Sequence, residues 1–459
     1  MQLACEYKNH RGDIFREQGT YAEIKVTERV RKATLDRENR LLMATSGAVI
    51  PRGPTIGPDV YAVNKFFTDL AFDSKTLPYL RVLPVFFSPS TRTPCLLEAI
   101  PAVALASTAR QLRRSDLMSE SHRRYGNSLK SLARALADRD SAVSDDTLLT
   151  VFLLGLYEIL QPTCIRSTED QDSAWSVHGR GRLALLRLRG REQLKTKAGR
   201  NLFTLIYHQQ LASCILDHGE PLPEYPSWLE SCCQTSPSCN LVQRWHDVVS
   251  LCSQFQKYLS NYSPLQNGRL QDLLDRGQEL DKNLDSHFRT VCGSYRGLVK
   301  MQDPVFDRIA DVPSWSGLDH EPALYAELTW RMVDNLYRGI RIYLLNCMLK
   351  GLPLLAAPAL DYQALGSEWT NTINTLAMEI NNDIPFILGE CDSSGKKRAN
   401  YISGTAFRAY MMILPLRAAV KSAALSDENR QMLEEQLRYV VDMRGLGLAF
   451  EFSKVRESA

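Results

Sequence analysis

Apolar residues recur three or four positions apart along most of this chain, which is the spacing of amphipathic helices. The longest apolar run, DDTLLTVFLLGLYEIL at Asp145–Leu160, is apolar on every face between Leu148 and Leu156. That predicts a helix buried all round. Ser144 suits its N-cap, Asp145 and Asp146 suit the positive end of its dipole, and Pro162 closes the far end. A membrane span needs about 20 apolar residues, and this run meets Glu158 first.

Helical periodicity continues on both sides. Tyr125, Leu129, Leu132 and Leu136 fall on one predicted face, as do Leu202, Phe203, Ile206 and Tyr207. Leu241, Trp245, Val248, Cys252, Phe255 and Leu259 make a third stripe, and Leu270, Leu273, Leu280, Leu284 and Phe288 a fourth. The longest helical pattern, YAELTWRMVDNLYRGIRIYLLNCMLK, stops at Gly351, and the segment ending RLRG stops at Gly190, a residue suited to the left-handed C′ position. SPSTRTP at Ser88–Pro94 reads as a turn and EPLPEYPSWLE as a proline-rich break. No convincing strand alternation, hairpin series or fixed repeat occurs. The fold class expected is all-α: an irregular domain of a dozen or so packed helices over 61–459. Before it stand a charged segment, 1–45, with a predicted helix at Tyr21–Leu42, and a Pro/Gly-rich linker at 46–60.

Composition changes little in that picture. With 44% apolar and 23% charged residues, 459 residues can build a substantial core. A net charge of +3 announces neither nucleic acid nor an anionic membrane. The chain opens without the apolar stretch of a signal peptide, and its eleven cysteines are irregularly spaced, so they read as reduced intracellular thiols acting as small apolar groups.

Candidate chemistry is sparse. Cys232, Cys233, Cys239, His246 and Cys252 are the obvious metal candidates, but zinc favours two tight ligand pairs and the only pair here is adjacent. Core and loop cysteines are the simpler reading. No HExxH, GxSxG or phosphate-loop pattern is present, and GRGRLALLRLRG has no strand before it. His178, one turn after Trp175, reads as a core or boundary histidine. The most basic stretch, Arg180 to Arg200, could meet a phosphate backbone, yet it lacks interleaved aromatics and reads more simply as a solvated helix face and its exit loop. Arg338 and Arg341, in an apolar segment, either pair with carboxylates or line a groove.

The order of several soft motifs adds a resemblance. LLTVFLLGLYEIL, then Trp175-x2-His178 with the glycines, leucines and arginine running to Gly190, then Asn201-Leu202-Phe203, resembles the fungal-specific transcription factor domain of the zinc-cluster regulators. HRRYGNSLKSLARAL before the core helix, NLYRGIRIYLL at Asn335–Leu345, AYMMILPLRAA, and LRYVVDMRGLGLAFEF look like further family helices, extending the resemblance over roughly 60–459. The usual Leu-Trp-Pro-Leu stands here as Ile413-Leu414-Pro415-Leu416. At the front, CEYKNHRGDIFREQ is similar to the segment that begins at the sixth cysteine of the family's two-zinc DNA-reading cluster, so Cys5 would be its last ligand. One thiolate cannot hold two zinc ions, which implies a cluster truncated or lost.

The resemblance implies a nuclear transcription regulator, pathway-specific for a secondary-metabolite gene cluster. It implies no catalysis and no cofactor, and DNA contact weak or absent without the cluster. The partners it implies are co-regulators or transcription machinery, with room for a small-molecule effector and no membrane. Tyr21–Leu42 occupies the place of the family's dimerising coiled coil, but Ile24, Val26, Val30, Leu35 and Leu41 keep no heptad. A helical biosynthetic enzyme, or a sensor with an apolar pocket between helices, is the alternative.

Overall fold

Serine, threonine and proline at helix starts, and apolar stripes behind them, produce fourteen α-helices between Pro58 and Arg444 among the described residues. The computed structural model describes residues 27, 28, 30–36, 57–67, 93–160, 174–217, 219–229, 237–261, 267–298, 322–355, 360–398 and 405–444. Residues Met1–Ile56 and Gly57–Ala459 form separate compact units. In the first, residues 30–36 are helical, inside the expected helix, with Val30 and Leu35 exposed. Cys5, Cys232 and Cys233 lie outside the described residues, as does most of the turn expected at 88–94.

The second unit runs α1 Pro58–Phe66, α2 Pro94–Leu112, α3 Ser115–Ala137, α4 Arg139–Ala142, α5 Asp145–Leu160, α6 Ala174–Arg189 and α7 Lys197–Asp217. It continues with α8 Tyr225–Leu229, α9 Pro237–Ser260, α10 Asn267–Leu298, α11 Pro322–Gly351, α12 Leu360–Ile387, α13 Thr405–Val420 and α14 Asp427–Arg444. Among the described residues there is no strand, only an isolated bridge between Cys391 and Lys397. Helix α1 already begins at Pro58, so the last residues of the expected linker belong to the helical unit.

Helix α5 has the bounds its sequence predicted, and every residue from Thr147 to Leu160 except Glu158 is buried. Ser144 caps it, accepting the Thr147 N–H at 3.1 Å. Its two acids do more than face the dipole. Asp145 pairs with Arg189 at the end of α6, and Asp146 accepts the Thr93 N–H at 3.2 Å, tying the start of α2. Helix α2 is alanine-rich and buried on nearly all sides, and it packs on α1, α3 and α5. The second half of the unit is built around α11, which packs on α9, α10, α12 and α13, while α7 contacts both α5 and α13. One continuous apolar core runs through all of them.

Helix α3 differs from expectation. Leu117, Ser121, Ser128 and Leu132 are buried, whereas Leu129 and Leu136 are exposed. At 100° per residue, the buried face is rotated by about 60° from the predicted leucine stripe. The reason lies in the two serines. Ser121 donates to the Ala102 carbonyl at 2.7 Å and Ser128 to the Cys95 carbonyl at 3.0 Å, so α3 lies antiparallel and close against small residues of α2. The turn between them has no glycine: Arg113 takes the left-handed conformation, φ 52°, and the Arg114 N–H returns to the Ala109 carbonyl at 2.8 Å. Gly190 is left-handed as predicted. Gly351 is not, because α11 tightens directly into a short 3₁₀ turn, Leu352–Leu354; its missing side chain instead leaves room for Leu270.

Candidate functional site

The helical motifs that carry the resemblance converge on two polar clusters inside the apolar body. The first joins α3, α5 and α6. The Tyr125 hydroxyl donates to Glu158 and lies 3.3 Å from His178 Nε2, and its ring stacks on Tyr157 at 4.2 Å. Glu158 is the one residue of α5 between Thr147 and Leu160 that is not buried, and the tyrosine hydroxyl donates to it. Burial raises the carboxyl pKa of Glu158. Burial, aided by the charge of Arg182, pushes His178 down to about 4, so the ring stays neutral at physiological pH. One turn on, Arg182 is wholly enclosed, and burial brings its guanidinium down to about 10 against the opposing influence of Tyr410 on α13. A side chain at Gly179 would meet the guanidinium of Arg182 at 3.7 Å and Gln210 of α7 at 4.0 Å. Four helices, α3, α5, α7 and α13, thus meet around α6.

The basic stretch divides between the interior and the surface. Arg182 is buried, Arg189 holds Asp145, Arg187 reaches Glu224 at 3.6 Å, and Arg191 donates to the Ser227 carbonyl. Lys195 pairs with Glu192, and Arg200 donates to the carbonyls of Leu194 and Lys195. The expected solvated face holds for Arg180, Arg187, Arg191 and Lys195, which are exposed, whereas Arg182 is enclosed and Arg189 fastens α6 to α5.

The second cluster lies on α11. Arg338 bonds Asp334 at 2.7 Å, Glu379 at 2.9 Å and Asp383 at 2.7 Å. Arg331 adds Asp383 at 2.6 Å and Glu327 at 2.9 Å, and lies over the Phe386 ring. Asn335 donates to the same Asp383 at 3.0 Å. On the other side Arg341 grips Asp281 with two nitrogens, at 2.8 and 3.0 Å, and Asp285 with the third at 2.9 Å. Of the two readings of Arg338 and Arg341, the paired one holds: α11 is clamped to α12 on one side and α10 on the other. Between the clamps, Gly339 meets α13 so closely that an added Cβ would lie 2.8 Å from the Cα of Pro415.

His246 is engaged by an aromatic group. Its Nδ1 is 2.7 Å from the Tyr207 hydroxyl, within a stack of Phe203, Tyr207 and Tyr225. Cys252 is a core residue, and Cys239 lies in α9. No group of three metal-binding side chains occurs among the described residues. No helix among them is long and apolar enough to cross a membrane.

The sequence profile of the fungal specific transcription factor domain matches residues 71–353, more than half the chain. The chain belongs to that family. Membership makes it kin to transcription regulators, a nuclear class that works through contacts with co-regulators rather than through catalysis. The matched stretch holds α2 to α11 and the arginines of both clamps, while residues 354–459, with Glu379, Asp383 and Pro415, lie beyond it. No curated protein and no solved structure matches the chain.

Proposed function

We propose that this chain is the regulatory helical region of a zinc-cluster-type transcription regulator, and that it controls a secondary-metabolite gene cluster. The observation that carries the reading is the family match across 71–353. The geometry is compatible with it: among the described residues the polar clusters join helices to one another. In this reading residues 61–459 are the regulatory domain, 1–45 are the end of a DNA-reading module with its linker helix, and Cys5 is that module's last zinc ligand.

Two measurements test this. Fusing the chain to a bacterial repressor's DNA-binding domain, with a reporter behind that repressor's operator in a fungal host, should change reporter output. Unchanged output would refute the regulatory role. Deleting the gene should alter transcripts of one co-located biosynthetic cluster together, and a scattered response would remove the pathway assignment. In-frame CxxC spacing in the genomic sequence before the Met1 codon would support Cys5 as that last ligand. The enzyme reading rests on Tyr125, Glu158 and His178 alone, and turnover of a pathway intermediate, abolished by Glu158→Gln, would favour it.

A further inference from the structure

A groove of about 780 Å³ lies between the end of α11 and the first half of α12, mostly beyond the stretch matched by the family. One wall is apolar: Leu349 on α11, Leu352 on the 3₁₀ turn and Leu355 just after it. The opposite wall is polar: Gln363, Ser367 and Asn371, spaced four apart on one face of α12. Gly366 forms part of the floor; an added Cβ there would lie 3.4 Å from Leu352 and 4.0 Å from Leu349. Gln363, Ser367 and Asn371 are exposed; the side-chain amides of Gln363 and Asn371 make no protein hydrogen bond among the described residues and face the solvent that fills the groove, whereas Ser367 donates to the Gln363 carbonyl. None of the ten lining residues is charged, in a chain of which 23% is.

We propose that this groove binds an uncharged, amphipathic small molecule. Its apolar face would lie on the leucines, and its carbonyl or hydroxyl edge would meet the amides of Gln363 and Asn371. The volume falls within the range of drug-sized ligand sites, about 300–1,000 Å³. The lining decides the class. An ionised ligand would give up water here for no counter-charge, and a wholly apolar one would leave one wall's amides facing hydrocarbon. The proposal is independent of the regulatory role.

Prodan, an uncharged naphthalene ketone whose emission shifts to the blue in apolar surroundings, is a suitable probe, with the anionic dye anilinonaphthalene sulfonate as its charged counterpart. Purified full chain should bind prodan one to one. Ser367→Trp, filling the groove from an exposed position, should weaken binding by about tenfold or more. Glu368→Trp, one residue away and outside the lining, should leave it unchanged, which separates groove filling from loss of fold. Equal prodan affinity in all three proteins would overturn the proposal. So would anionic dye that binds as tightly and is equally displaced by Ser367→Trp. Sedimentation of the same proteins adds a third refuting outcome: a subunit interface that Ser367→Trp breaks.

Discussion

Replacing Gly339 by alanine should destabilise the helical unit although alanine is the better helix former. The added Cβ would come within 2.8 Å of the Pro415 Cα, 3.3 Å of its Cβ and 3.5 Å of its nitrogen. Carbon atoms are comfortable at roughly 3.5–4.0 Å, so the overlap is about 1 Å. Neither side can relieve it by rotating a side chain, because two helix backbones face each other and both α11 and α13 are packed on further helices. Overpacking of this kind costs about 1–3 kcal/mol, occasionally more. The gain in helix propensity returns only about 1 kcal/mol. With the clash at the severe end, the net loss is about 2 kcal/mol. Gly126→Ala supplies the internal control. It lies in the middle of α3 with nothing within 4 Å of the added atom, so it should stabilise by about 0.5–1 kcal/mol. Urea unfolding followed by circular dichroism measures both. A Gly339→Ala midpoint equal to or above wild type would refute the reasoning, since it would mean α11 and α13 are not in that contact.

Other expectations rest on separate features. Arg113→Gly removes a side chain from a left-handed residue and should raise stability by about 0.5–1 kcal/mol, visible as a higher urea midpoint. Arg341→Met leaves Asp281 and Asp285 facing each other one turn apart; it should cost about 2–3 kcal/mol, part of which Asp281→Asn in the same chain should restore, as a double-mutant cycle would show. Burial holds His178, His208 and His246 down at about 4 against 6.5 when unfolded, so the unfolded chain binds more protons between those values. Stability from these groups is present above pH 6.5 and lost as pH falls toward 4, and acid titration of the unfolding midpoint checks it. Asp334, raised by burial to about 7, has the opposite sign, losing its contribution as pH rises from 3.8 through 7; Asp334→Asn should flatten that part of the profile.

How much of this could be read beforehand depended on the kind of signal. Helix α5 was legible to the residue because continuous apolar sequence, a serine cap and first-turn acids agree. The buried face of α3 was not, since its contacts run through serine hydroxyls and small residues that carry no hydrophobic weight. The α2–α3 turn uses arginine where glycine is usual, so no turn signal marks it. Glu158, Tyr125 and His178 are 20 to 53 positions apart, and only the fold shows that they meet. One clue was present: a lone carboxylate in an apolar helix needs a partner. The pairing of Arg338 and Arg341 was one of two stated options, and their carboxylates come from other helices, 41 to 60 positions away for Glu379, Asp383, Asp281 and Asp285.

The contact between Gly339 and Pro415 also bears on inheritance. The recognisable family stretch ends at residue 353, yet Arg331, Asn335 and Arg338 depend on Asp383, and the bare face of Gly339 is shaped to Pro415. The limit of recognisable ancestry is therefore not a limit of folding. A lineage that exchanged the last hundred residues would have to carry along an aspartate and a helix-borne proline at matching depths. A change at Gly339 would in turn need an answering change on α13, so these two positions should drift together in the history of the gene.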